Sequence, residues 1–189
     1  MRPDAHKKGV RVLAVASGPV EGKKRALVVG IVQRELTIEG VLSTTVEVDG
    51  TDSSYRIAEM LRKSRFRQQV KIVVFDGIAL AGLNLIDPKR ISKSLGVDVL
   101  IITRRKPRKR ALVNALKKYS EASGKGVDGR LEVLEGSDAL AGYAWAGLHV
   151  KTTAKAVEGE GLTNSAFEAL RLAHIVARGV SSGESKGRV

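Results

Sequence analysis

Residues 70–75, VKIVVF, are apolar except for Lys71 and run directly into Asp76-Gly77. A run this short, rich in β-branched residues and closed by a turn pair, reads as a strand buried on both faces. Such a strand belongs inside a sheet covered by helices, so this stretch restricts the chain to an α/β fold. Its surroundings agree. Upstream, the β-branched runs 10–16, 25–34 and 38–48 are separated by a Gly18-Pro19 turn and short charged loops, which predicts an antiparallel meander. Thr51-Asp52-Ser53-Ser54 offers N-cap residues, and Ile57, Met60, Leu61 and Ser64 follow at helical spacing, predicting a crossover helix.

Downstream, Asp87-Pro88 predicts a helix start with proline at the first helical position, leading through Ile91 to Leu95. Residues 97–103 predict a second buried strand, and Pro107 opens a basic helix through Leu112, Ala115, Leu116 and Tyr119. After a glycine-rich loop at 124–129, a short strand is expected at 131–134, then an aromatic-bearing segment at 143–150. Ser165 and Glu168 have capping-box spacing, so the last helix is expected to start there, and the Gly/Ser-rich tail 179–189 is expected to be mobile. The expected architecture is one α/β domain over residues 1–189: a mixed sheet, meander plus parallel strands, with flanking helices.

Composition narrows the function. Lys+Arg 33 against Asp+Glu 20 leaves a net charge of +13, so a polyanion is the natural partner. The charge is clustered: Arg104 to Arg110 reads RRKPRKR, six basic residues in seven, and marks Arg104, Arg105, Arg108, Lys109 and Arg110 as candidate nucleic-acid contacts. Aromatics at 4% argue against extensive base stacking of the single-strand-binding kind. With no cysteine there is no disulfide, zinc-thiolate site or thiol nucleophile. No apolar run is long enough to span a bilayer and the first residues, MRPDAHKKGV, lack a signal-peptide core, so a cytoplasmic protein without membrane association is expected.

In doubly covered sheets, ligands gather outside the carboxyl ends of the parallel strands, where Asp76 stands. Gly77 beside it leaves room for a ligand or metal. A hard cation such as Mg²⁺ needs further oxygen ligands, and the candidates are Asp49 and Asp52 in VDGTD, with Asp87 as a third. Each has a structural alternative: Asp52 and Asp87 as helix caps, Asp76 as a turn residue. His174, in RLAHIVARG, reads as a hydrogen-bonding residue on an amphipathic helix. Tyr143 and Trp145 share a face if their segment is a strand, and are candidates for core packing or for a base pocket.

The motifs FDGIALAGLNLIDPKRI, VDGTDSSYRIAEML, the RRKP after the next strand, and EALRLAHIVARGV with GESKGR beyond it together resemble an archaeal family of formerly unknown function. That family is related to endonuclease V and is described as cutting DNA at deoxyuridine. The resemblance covers nearly the whole chain and implies an RNase H-like fold and a metal-dependent endonuclease of deaminated-DNA repair, using Mg²⁺ (or Mn²⁺). It further implies that Asp76 is a metal ligand, that Asp52 with Asp49 beside it supplies the acidic ligand upstream, and that Lys106 or Arg105 approaches the phosphate. The implied catalytic set is thus Asp76, Asp52 and Lys106.

One departure stands out. Relatives commonly carry two aspartates before the Gly-Pro turn of the first strand, where this chain has Ala16-Ser17. Alanine cannot ligate, and a serine hydroxyl is a poor substitute for a carboxylate on a hard cation. Two readings follow: a metal-dependent endonuclease, or a non-catalytic nucleic-acid-binding protein that retains the fold. A carboxylate restored at position 16 or 17 is expected to face Asp76.

Overall fold

The computed structural model describes residues 9–104, 109–145, 148–153 and 160–185. Strands β1 (Arg11–Ser17), β2 (Arg25–Arg34) and β3 (Thr37–Glu47) form the expected antiparallel meander. Helix α1 (Ser53–Arg62) crosses to β4 (Val70–Asp76), which lies parallel to β1. The excursion 77–86 then makes a small hairpin, β5 (Ala79–Leu80) with β6 (Asn84–Leu85), before α2 (Pro88–Leu95) returns the chain to β7 (Asp98–Thr103), parallel to β4. Two helices, α3 (Lys109–Ser123) and α4 (Asp128–Asp138), precede the antiparallel pair β8 (Ala141–Trp145) and β9 (Leu148–Thr152), and α5 (Glu160–Ser182) ends the described chain. The sheet order is β3-β2-β1-β4-β7-β9-β8, the mixed RNase H-like arrangement that the motifs implied.

Strand alternation sorts the core into two layers. Leu13, Val15, Val73 and Phe75 face α1 and α2, where Ile57, Leu61 and Ile91 pack on them. Val12, Ala14, Ala16, Ile72, Val74, Leu100 and Ile102 face the other way and are covered by α5 through Ala166, Ala169, Leu170, Ala173 and Ala177. Those alanines recur at three- and four-residue spacing, so α5 lays a smooth stripe close against the sheet. Truncating a fully buried side chain in either layer, such as Leu61, is expected to cost about 2–5 kcal/mol. Gly18 serves the same approach. A Cβ there would stand 3.0 Å from the Ala177 carbonyl oxygen, so the β1–β2 turn presses on the end of α5 only as glycine.

Three expectations need correction. Residues 131–134 are helical, within α4, because Val127, Arg130, Leu134 and Ser137 bury at three- and four-residue spacing, whereas a strand would bury alternate residues. Helix α5 starts at Glu160, ahead of Ser165. Ser165 is therefore interior, and its hydroxyl donates to the Glu35 carbonyl and accepts from Gln33 Nε2 at 3.1 Å, tying α5 to the β2–β3 turn. The first part of the tail, through Ser182, is the last turn of that helix, while residues 186–189 lie outside the described residues. The Asp87 cap is as expected: Arg90 N donates to Asp87 Oδ1 at 2.9 Å, with Pro88 opening α2.

Candidate nucleic-acid interface

Asp76 ends β4 in phase with Ile72 and Val74, so its side chain leaves the sheet on the α5 face. There Asp76 Oδ2 meets His174 Nε2 at 3.2 Å. Arg104 follows β7 in phase with Leu100 and Ile102, and its guanidinium lies 5.6 Å from the centre of the Phe167 ring on α5. Phe167, Arg171, His174 and Arg178 recur along α5 at four-, three- and four-residue steps, which puts them on one stripe beside the alanine stripe. Together these residues enclose a cavity of about 190 Å³, lined by Asp76, Ile102, Arg104, Phe167, Leu170, Arg171, His174 and Arg178. Arg171 is held by Glu168 at 2.9 Å.

Among the described residues, one aspartate and three arginines line this cavity, a charge balance that favours an anion. Such a lining can take an anion such as phosphate, with the Asp76–His174 pair at one side. The Asp76 carboxylate and the His174 imidazole are within reach to share a proton, and the guanidinium groups supply forked donors suited to phosphate oxygens.

The other expected acids are engaged elsewhere. Asp49, in the left-handed region at φ 54, accepts from Leu83 N at 2.7 Å while its own N–H donates to Ala81 O at 3.1 Å. Asp52 stands at the N-cap of α1 without a side-chain capping bond. Its Oδ1 accepts from Glu47 N at 3.0 Å and Asn84 Nδ2 at 2.9 Å, and its Oδ2 faces Arg56 at 3.4 Å and Arg25 at 3.8 Å. Both carboxylates thus lock the β5–β6 hairpin to the end of β3. Ser17 belongs to the same network: its Oγ accepts from Ala81 N at 3.2 Å, on the face opposite Asp76.

Only Ala16 shares Asp76's face at the end of β1, one residue past the paired positions Val15 and Phe75, and it is buried at 1% exposure. The expectation that either position 16 or position 17 faces Asp76 therefore holds for 16 alone. Among the described residues no group of three or more His, Cys, Asp or Glu stands close enough to hold a metal ion. One carboxylate and one imidazole, with Asp49 and Asp52 hydrogen-bonded elsewhere, do not fit the carboxylate-rich Mg²⁺ or Mn²⁺ site that the motifs implied.

The basic cluster divides. Arg104 joins the cavity, while Arg105, Lys106 and Arg108 lie outside the described residues. Lys109 pairs with Asp138 at 3.0 Å, and Asp138 also takes Lys151 at 2.8 Å, which pins the start of α3 to α4 and β9. Burial works to raise the Asp138 carboxyl, but the ammonium groups of Lys151 and Lys109 outweigh it and hold the group below its ordinary value. Arg110 is exposed on the first turn of α3. Sequence reasoning singled out His174 without its partner, and passed over Arg171 and Arg178 as site residues. The available signal was the stripe 167, 171, 174 and 178, which carries one aromatic and three basic or imidazole groups.

The family model for endonuclease dU matches residues 8–181. This chain belongs to the endonuclease dU family. Among its archaeal relatives, a UPF0215 protein of Methanothermobacter thermautotrophicus is 33% identical over 96% of this chain and 92% of its own length. A UPF0215 protein of Methanopyrus kandleri is 32% identical over 93% of each. The chain also overlays a solved structure of a protein of unknown function from Archaeoglobus fulgidus, with a TM-score of 0.77 at 25% identity, covering 89% of this chain and 96% of that one. A partial overlap with human ENDOV has a TM-score of 0.41 at 15% identity over 57% of this chain and 50% of that one. No described helix of this endonuclease dU family member is long and apolar enough to cross a membrane.

Proposed function

We propose that this protein binds DNA by seating a backbone phosphate in the cavity between Arg104, Arg171 and Arg178, beside Asp76 and His174. The observation that carries this reading is the convergence of three arginines from β7 and α5 on a concave site at the strand ends, in a chain of net charge +13. Phosphate contacts of this kind supply affinity and register whatever the sequence bound. DNA is preferred to RNA because the family takes its name from deoxyuridine.

A second reading, deoxyuridine-directed cleavage of the strand, is favoured by the family membership and by the Asp76–His174 pair at 3.2 Å. A histidine oriented by a carboxylate is a suitable group to give or take a proton at a phosphodiester. Against it stand Ala16 and the hydrogen-bonded Asp49 and Asp52, which leave the expected metal ligands incomplete. Binding and cleavage are separated by one experiment on labelled strands containing deoxyuridine, deoxyinosine or neither, incubated with Mg²⁺, Mn²⁺ or chelator. Salt-sensitive binding without new products supports the binding protein, and products at deoxyuridine support the endonuclease. Absence of binding in every arm removes both.

A further inference from the structure

We propose that two copies of this chain join edge to edge through β3, antiparallel across a two-fold axis perpendicular to the sheet. β3 stands at the end of the sheet order, paired with β2 on its inner side. The even-numbered residues make that pairing. Val48 N donates to Lys24 O at 3.0 Å, and Val46, Thr44 and Leu42 continue the same phase opposite Ala26, Val28 and Gly30. The odd-numbered residues therefore turn their N–H and C=O groups outward. There Glu47 N donates to Asp52 Oδ1 at 3.0 Å, and the Thr45 carbonyl accepts from Arg25 Nη2 at 2.9 Å. Among the described residues, no strand covers the rest of this edge from Val41 to Thr45.

A free edge is a template for another strand, and soluble proteins commonly blunt it with lysine, proline or a covering loop. Residues 40–46, GVLSTTV, carry no charge and no proline. Five large apolar side chains stand exposed among the described residues, and three of them lie in or beside β3: Leu36, Ile38 and Val41, at 82%, 49% and 55% exposure. Ile38 and Val41 pair with Gln33 and Ile31, which face α5, so both lie on the α5 side of the sheet, where that helix leaves them uncovered. A second copy of the same edge fits. In the register centred on Ser43, Ser43 lies opposite itself and Val41 opposite Thr45, so each outward donor meets an outward acceptor. The Thr45 carbonyl keeps a second lone pair for this bond beside the one that Arg25 uses. No charge enters the run, so two chains of net charge +13 can meet there without like charges facing each other. At its ends Glu47 of each copy, 61% exposed, reaches the Glu39 end of the other, where Arg11 and Arg34 around one carboxylate leave a net positive charge.

The test is sedimentation velocity of the full chain without nucleic acid over a micromolar concentration series, where a species of twice 20.3 kDa is expected. The chain has no cysteine, so Ser43→Cys introduces a single thiol. In the proposed register the two Cα atoms at position 43 stand about 5.5 Å apart, within the roughly 4.4–6.8 Å that a disulfide spans. Mild oxidation should link that variant into a dimer on non-reducing gels, while Asn114→Cys, on the exposed side of α3, should stay unlinked. Val41→Lys combined with Thr45→Lys sets like charges opposite one another and should give a monomer. Val41→Lys combined with Thr45→Glu sets opposite charges there and should restore the dimer, with circular dichroism reporting that both variants are folded. A monomer throughout the series for the unaltered protein would overturn the proposal. So would Ser43→Cys linking no faster than Asn114→Cys, or two folded charge variants that sediment alike.

Discussion

His174 Nε2 stands 3.2 Å from Asp76 Oδ2, although 98 positions separate the two residues in the chain. The contact exists because α5 crosses the sheet above β1, β2 and β4 and carries His174 past the tip of β4, where strand alternation has already turned Asp76 toward it. Among the described residues, Asp76 is the one carboxylate lining a cavity that also holds three arginines. It thereby reduces the attraction for an anion while orienting the imidazole.

Asp76→Asn should therefore strengthen DNA binding, because it removes a negative charge beside the phosphate position. Any cleavage activity should disappear. Anisotropy titrations and the labelled-strand assay read the two effects separately. Weaker binding, or cleavage at the unaltered rate, would remove Asp76 from the roles assigned to it.

Arg171→Ala combined with Arg178→Ala should weaken binding to all DNA sequences and lower the slope of log affinity against log salt by up to about two. Lys109→Ala should change that slope little, because Lys109 is engaged by Asp138. Binding measured across a salt series decides between the cavity and the basic cluster as the seat of phosphate contacts.

Ala16→Asp would introduce a carboxylate on the face of Asp76 at a site only 1% exposed. Desolvation and the neighbouring like charge should lower stability at neutral pH by roughly 1–3 kcal/mol. Mg²⁺ or Mn²⁺ should restore part of the melting temperature, since a cation bound only by the folded state stabilises it. Ser17→Asp, which points to the other face, should show no such rescue. Melting curves with and without metal test this, and equal responses of the two variants would contradict the face assignment.

Arg130 is 6% exposed and donates through Nη2 to the carbonyl oxygens of Asp49 and Gly50, with its guanidinium 4.7 Å from the Tyr119 ring. Among the described residues, its Nε and Nη1 are buried without a partner. Arg130→Ala should cost roughly 2–3 kcal/mol by leaving those carbonyls unpaired and loosening α4 from the 49–50 turn. Arg130→Met, which loses the same hydrogen bonds but keeps the bulk of the stem, should cost less. Urea denaturation ranks the pair, and the reverse order would show that the packing of the Arg130 stem does not support α4.

The Arg11 guanidinium, hydrogen-bonded to Glu39, lowers its carboxyl below the ordinary 4.5; desolvation opposes this and Arg34 adds to it. With the folded value depressed, the stabilisation is fully present above the unfolded value and is lost as pH falls through the folded one. The difference in melting temperature between the natural protein and Glu39→Gln should stay constant from neutral pH to about pH 5 and shrink below it. A difference that persists in acid would mean that the charge of Glu39 is not what holds Arg11 and Arg34.

Strands β1 to β4 and β7, the crossover helix and the Asp87 cap were legible in the sequence because their signals are local: two-residue alternation, three- and four-residue stripes, and a short side chain before proline. Helix α4 was misread because RLEVL alternates over a span too short to distinguish a strand from one turn and a half of helix. The expected gathering of Asp49, Asp52 and Asp76 depended on more than spacing. A strand end offers two faces, and the register of β1 against β4, together with the hairpin at 77–86, turned Ser17, Asp49 and Asp52 toward one side and Asp76 toward the other.

By itself the sequence determined most of the strands and helices, their mixed-sheet arrangement, the basic character of the chain and the aspartate at the tip of β4. The tertiary structure alone decided which groups meet that aspartate. A side chain's partners depend on which face of the sheet it leaves and which helix covers that face, and both follow from long-range pairing that no local window of residues contains.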